Sequence, residues 1–102
     1  MQVLDHEPDR WFLLQDGAAL LLDTNCSHGP VGYSFLMALD TKETAQFKAA
    51  GRGFLNDLAE GVHMSNPGAR GSPSPYRVRR LSAERDAAVA AAVLAWRAAG
   101  NG

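Results

Sequence analysis

Residues 10–23 read RWFLLQDGAALLLD. Two apolar runs, Trp11 to Leu14 and Ala18 to Leu22, flank the dipeptide Asp16-Gly17. An Asp-Gly pair between apolar runs is a strong hairpin signal, because the favoured two-residue turn needs positive φ at both central residues. Folding about that pair sets Leu14 against Ala19, Leu13 against Leu20, Phe12 against Leu21 and Trp11 against Leu22. Arg10 then faces Asp23 as an opposite-charge pair at the open end. Both faces of the ribbon are apolar, so either the chain covers each face or one face is a docking surface.

Before the hairpin, Val3 and Leu4 suit a short first strand, and HEPDR at residues 6–10 is a polar turn around Pro8. After it, Val31 to Leu39 alternates: Val31, Tyr33, Phe35, Met37 and Leu39 share one face, while Gly32, Ser34, Leu36 and Ala38 share the other. That is the period-two pattern of a strand continuing an antiparallel meander. Asp40 with Glu43 is an acidic relative of the capping box and opens a helix predicted over about 41–62. Phe47, Phe54, Leu58 and Val62 form its apolar stripe. Gly51 and Gly53 interrupt it at a cost of roughly 1 kcal/mol each relative to alanine, which close packing on the sheet would explain better than a kink.

HMSNPGARGSPSP, residues 63–75, is turn chemistry without apolar period and predicts a long, mobile connection. YRVRRL, residues 76–81, reads as an edge strand whose charges discourage sheet-to-sheet pairing. Ser82 caps a second helix over about 83–99, with Glu84 and Asp86 at its positive end, a Val89–Val93–Trp96 stripe, and Gly100 as its stop. The expected order is β-β-β-β-α-β-α. The expected fold is a single α+β domain spanning 1–102, with an antiparallel meander of four to five strands and both helices packed on one face.

The chain's 102 residues are 46% apolar and 21% charged with net charge −1, values that suit one globular core. The charge speaks against general duplex binding, which needs a surplus of Lys and Arg at the phosphates. A lone cysteine forms no internal disulfide, and neither a leader segment nor a membrane-length apolar run is visible. A reducing cytosol is the expected compartment. Arginine far exceeds lysine and alanine is abundant, a composition typical of a GC-rich bacterial genome.

Three groups of side chains could carry chemistry. In Asn25-Cys26-Ser27-His28, an imidazolium two residues from a thiol would lower its pKa and make Cys26 and His28 a minimal nucleophile pair. The competing reading is a strand-to-strand turn whose Asn25, Cys26, Ser27 and His28 form a binding rim, with Cys26 as a small half-buried filler. Adding His63 or His6 matches no zinc spacing, so neither metal nor cofactor is expected. Arg77, Arg79 and Arg80, with Arg70 and Arg52 as outlying members, could grip an anion or a single strand beside Tyr76. The alternative is a solvated edge. Trp11 and Tyr33 with Ser34 could line a pocket, though such aromatics usually belong to the core.

The sequence therefore favours a non-enzymatic protein-binding module, self-associating through its sheet face or meeting another protein. The alternatives are a small Cys26/His28 enzyme and an anion or single-strand binder using Arg77, Arg79 and Arg80.

Overall fold

The structure, a computed structural model, describes residues 1–28 and 31–101. It is α+β. Strands β1 (Gln2–Glu7), β2 (Trp11–Asp16), β3 (Ala19–His28) and β4 (Val31–Ala38) form one antiparallel meander in the order β1-β2-β3-β4. Helices α1 (Thr41–Ala50), α2 (Arg52–Ser65) and α3 (Ala83–Ala98) follow. No described helix is long and apolar enough to cross a membrane.

The β2–β3 hairpin forms, one residue away from the expected turn. Asp16 pairs with Ala19, Gln15 with Leu20, Leu14 with Leu21, Leu13 with Leu22, Phe12 with Asp23 and Trp11 with Thr24. The turn residues are Gly17 and Ala18 rather than Asp16 and Gly17, so the Arg10–Asp23 rung is replaced by Phe12–Asp23. The reason is steric. A turn of the II′ kind needs positive φ only at its first central residue, and glycine supplies it at +61° without the penalty an L side chain meets there. The change keeps every side chain on the face its alternation dictates.

The expectation that both helices share one face is corrected. Trp11, Leu13, Leu22, Cys26, Phe35 and Met37 pack against Leu55, Leu58, Ala59 and Val62 of α2. Leu14, Leu21 and Leu36 pack on the opposite face against Val89 of α3, with Phe12 and Val93 alongside. A two-faced apolar ribbon would leave one face in water if all helices lay together, so α3 covers the second. Neither hairpin face is a bare docking surface: Trp11, Leu13, Leu14, Leu21 and Leu22 are each at most 1% exposed.

The capping box at Asp40 is present in full. Asp40 Oδ1 accepts from Glu43 N at 2.7 Å, and Glu43 Oε1 accepts from Asp40 N at 2.9 Å. The single helix expected over 41–62 is two helices meeting at Gly51, which has φ +72°. A side chain on Gly51 or Gly53 would meet nothing within 4 Å, so the kink, and not close packing, is what Gly51 serves. Arg52, the first residue of α2, reaches across to β1. It donates to the His6 carbonyl and to Glu7 Oε2, both at 2.8 Å, and lies over the Trp11 ring.

From Ser65 to Ser82 the chain passes round the open edge of β4, which is how α3 reaches the far face. The strand expected at 76–81 does not form; Arg77–Arg79 is a 3-10 turn. The end of this turn and the two residues after it nevertheless cap three alternate carbonyls of β4. Arg79 donates to Ala38 O at 2.8 Å, Leu81 N to Leu36 O at 3.0 Å, and Arg80 to Ser34 O at 3.5 Å. Two arginine side chains and one backbone N–H thus replace a fifth strand and protect the edge. Within the connection Pro67 is buried, Ser65 and Ser74 hydroxyls meet at 2.7 Å, and the Tyr33 hydroxyl donates to Asn66 Oδ1 and accepts from Gly68 N.

Candidate functional site

The turn between β1 and β2 rises at one end of the sheet. Arg10 N donates to Glu7 O at 3.0 Å, with Pro8 and Asp9 between them. Asp9 has φ +63°, the left-handed value a type II turn requires at its third residue, and proline suits the second. The adjacent end of β3 fastens this turn. Asn25 N donates to Arg10 O at 2.8 Å and Asn25 Nδ2 to Asp9 O at 2.9 Å. Ser27 Oγ in turn donates to Asn25 Oδ1 at 3.2 Å. The result is an exposed ridge of Asp9, Arg10 and Asn25, held by both backbone and side-chain bonds.

A cleft lies on each side of it, and the three ridge residues line both. On the α2 side a space of about 390 Å³ is bounded by Thr24, Ser27, Ala59 and Glu60. Thr24 is 2% exposed and its hydroxyl has no hydrogen-bond partner. On the α3 side a space of about 280 Å³ reaches Phe12, Asp23, Ser34 and Arg97. Burial raises the Asp23 carboxyl to about 6, with the like charge of Asp86 adding to the shift. Beside it His6, Phe12 and Trp96 make a ring cluster, with Trp96 edge-on to both partners and Arg97 over Phe12.

No protein-family model, curated protein or solved structure matches this chain.

The residues singled out from sequence fall in several places. Asn25, Cys26, Ser27 and His28 lie in strand β3, paired with β4, and not in the expected turn; Asn25 and Ser27 belong to the ridge and the α2-side cleft. Cys26, between them, points the other way from Asn25 and is fully buried against the α2-side core, not half-buried. Burial pushes its thiol pKa up, opposed in part by a hydrogen bond with Tyr33. A buried thiol held protonated is a poor nucleophile. The side chain of His28 lies outside the described residues, so the Cys26–His28 pair has no geometry here. Tyr33 is engaged by Asn66 and Gly68. Trp11 is core and donates to Asn56 Oδ1 at 2.9 Å; it borders the α3-side cleft together with Ser34, but Tyr33 does not line that cleft, so the three do not share a pocket.

The arginines are absorbed by the fold. Arg79 pairs with Glu43, donating to its two carboxylate oxygens at 2.5 and 3.0 Å, and that bond raises its pKa. Arg77 donates to the carbonyls of Pro67 and Ala69. Arg80 reaches Ser34 O and lies over Phe35. Arg52, at the start of α2, sits apart from them and pairs with Glu7 of β1. Sequence reasoning missed Asp9, Arg10 and Asp23 as site residues. Pro8-Asp9 carried a local turn signal, but the reach of Asn25 across the sheet spans 16 residues and has none.

Proposed function

We propose that the chain is a non-enzymatic protein-binding module of a bacterial cytoplasm, and that it meets its partner at the Asp9–Arg10–Asn25 ridge. The observation that carries this reading is the ridge itself: exposed, charged, pre-set by four hydrogen bonds, and flanked by an open cleft on each side. Pre-organised backbone lowers the ordering cost of association. A convex ridge between two shallow clefts suits a protein surface better than a small molecule, whose sites are concave and mostly enclosed. The lone cysteine, buried as a free thiol, supports a reducing compartment.

The rival readings lose their support. The Cys/His enzyme needs an accessible, acidified thiol, and Cys26 is buried with its pKa raised. The anion binder needs uncommitted guanidinium groups, and Arg77, Arg79 and Arg80 are spent on carbonyls and Glu43. Self-association through the sheet face needs an uncovered face, and α2 and α3 cover both.

The test is affinity capture from native lysate with the chain and its Arg10→Glu variant, read with gel filtration. Arg10 is exposed, so the substitution leaves the core intact. A defined partner, or a second copy, retained by the parent and lost by the variant is the expected result. A strict monomer without a partner, or equal capture by both proteins, overturns the reading.

A further inference from the structure

We infer that the α3-side cleft receives one cationic side chain, a lysine or arginine, from the partner, and that Asp23 is its counter-charge. This rests on the protein-binding reading and adds the chemistry the partner must bring.

Asp23 stands on β3 between Phe12 of β2 and Leu36 of β4, on the face α3 covers. Its Oδ1 is buried and has no hydrogen-bond partner. Such a group is costly to leave unmet, because desolvation removes its water and nothing replaces it. The charged neighbour that acts on it, Asp86 of α3, has the same sign. Two arginines border the cleft without neutralising it. Arg97 lies over the Phe12 ring at 5.6 Å, and Arg10 stands on the ridge beside Asp9. Among the described residues neither forms an ion pair with Asp23. Cys26 is buried on the opposite face.

The surroundings suit a long cationic chain. A further space of about 300 Å³ continues from Asp23 along Phe12, Val93 and Leu94. Leu94 is 70% exposed, a large apolar group facing solvent at the mouth. An arginine or lysine packs its methylenes on such a wall and places its charged head inward. The head would meet the Asp23 carboxylate where it lines the cleft and relieve its repulsion with Asp86.

The experiment is a nitrogen-15 NMR titration of the full chain at pH 7.5 with N-acetylarginine amide, using N-acetylcitrulline amide as the neutral isostere. Saturable shifts at Phe12, Asp23, Ser34 and Leu94 are expected with arginine. Binding should weaken by about tenfold with citrulline, in Asp23→Asn, and at pH 5, where a carboxyl with pKa about 6 is mostly protonated. Equal response to both probes, unchanged binding by Asp23→Asn, or no saturable shift at these residues overturns the inference. If Asp23→Asn still captures the protein partner that Arg10→Glu loses, the ridge stands and the cation site falls. If arginine binds through Asp23 and no protein is captured, the protein-binding reading falls and the cation site stands.

Discussion

Asn25 donates from its side chain to the carbonyl of Asp9 at 2.9 Å, tying the third strand to a turn 16 residues earlier. This bond holds Asp9 at φ +63°, a conformation costly for an L residue. Asn25→Ala should lower stability by about 1 kcal/mol, the usual worth of one such bond. Asp9→Gly should be neutral or slightly stabilising, since glycine takes that φ freely. Urea midpoints for the two variants check both. Amide exchange at Arg10 should quicken in Asn25→Ala alone.

Gly68 lies against the Tyr33 ring. A methyl group placed on it would come within 2.4 Å of Tyr33 Cε2. Gly68→Ala should cost about 1–3 kcal/mol, as overpacked sites do. In a Tyr33→Ala background the same substitution should cost much less. A double-mutant cycle by urea denaturation reads the difference, and additive costs would show that the contact is not the cause.

The Asp23 carboxyl, at about 6 in the fold against 3.8 when free, makes stability depend on pH. Between those values the folded state holds a proton that the unfolded state has released. Its contribution is complete below about 3.8 and lost as pH rises through about 6. At 1.36 kcal/mol per unit the shift is worth about 3 kcal/mol at most. Asp23→Asn should remove this fall, so its stability relative to the parent should increase from pH 4 to pH 7.5. Paired urea titrations at the two pH values measure it, and a constant difference would contradict it.

Cys26 is fully buried and its thiol pKa is raised. Iodoacetamide labelling of the native chain at pH 7.5 should follow the rate of structural opening, and mild urea should accelerate it in step with unfolding. Fast labelling independent of urea would show an accessible thiolate and revive the enzyme reading.

Alternation, turn chemistry and helix caps made much of the fold legible. These act between near neighbours. The hairpin of Trp11 to Leu22, the strand ending at Ala38, the Asp40–Glu43 box and the Ser82 cap each follow from residues within one element or one turn. The site was legible only in part. Asn25 and Ser27 stood out as turn-formers, but Asp9 and Arg10 matter through a contact made across the sheet. Asp23 looked like the partner of Arg10, and a turn shifted by one residue left it facing α3 with no cation at its inner oxygen.

The sequence by itself determined that a two-faced apolar ribbon would seed an antiparallel sheet and that helices would follow it. Those outcomes depend on side-chain periodicity and local backbone preference. Only the tertiary structure decided that α3 crosses to the face opposite α2, that arginines take the place of an edge strand, and that Cys26 is sealed inside while Asp23 borders an open cleft. Each depends on which surfaces compete for burial once the elements meet. No run of neighbouring residues encodes that competition, because its energy lies in desolvation shared across the whole sheet.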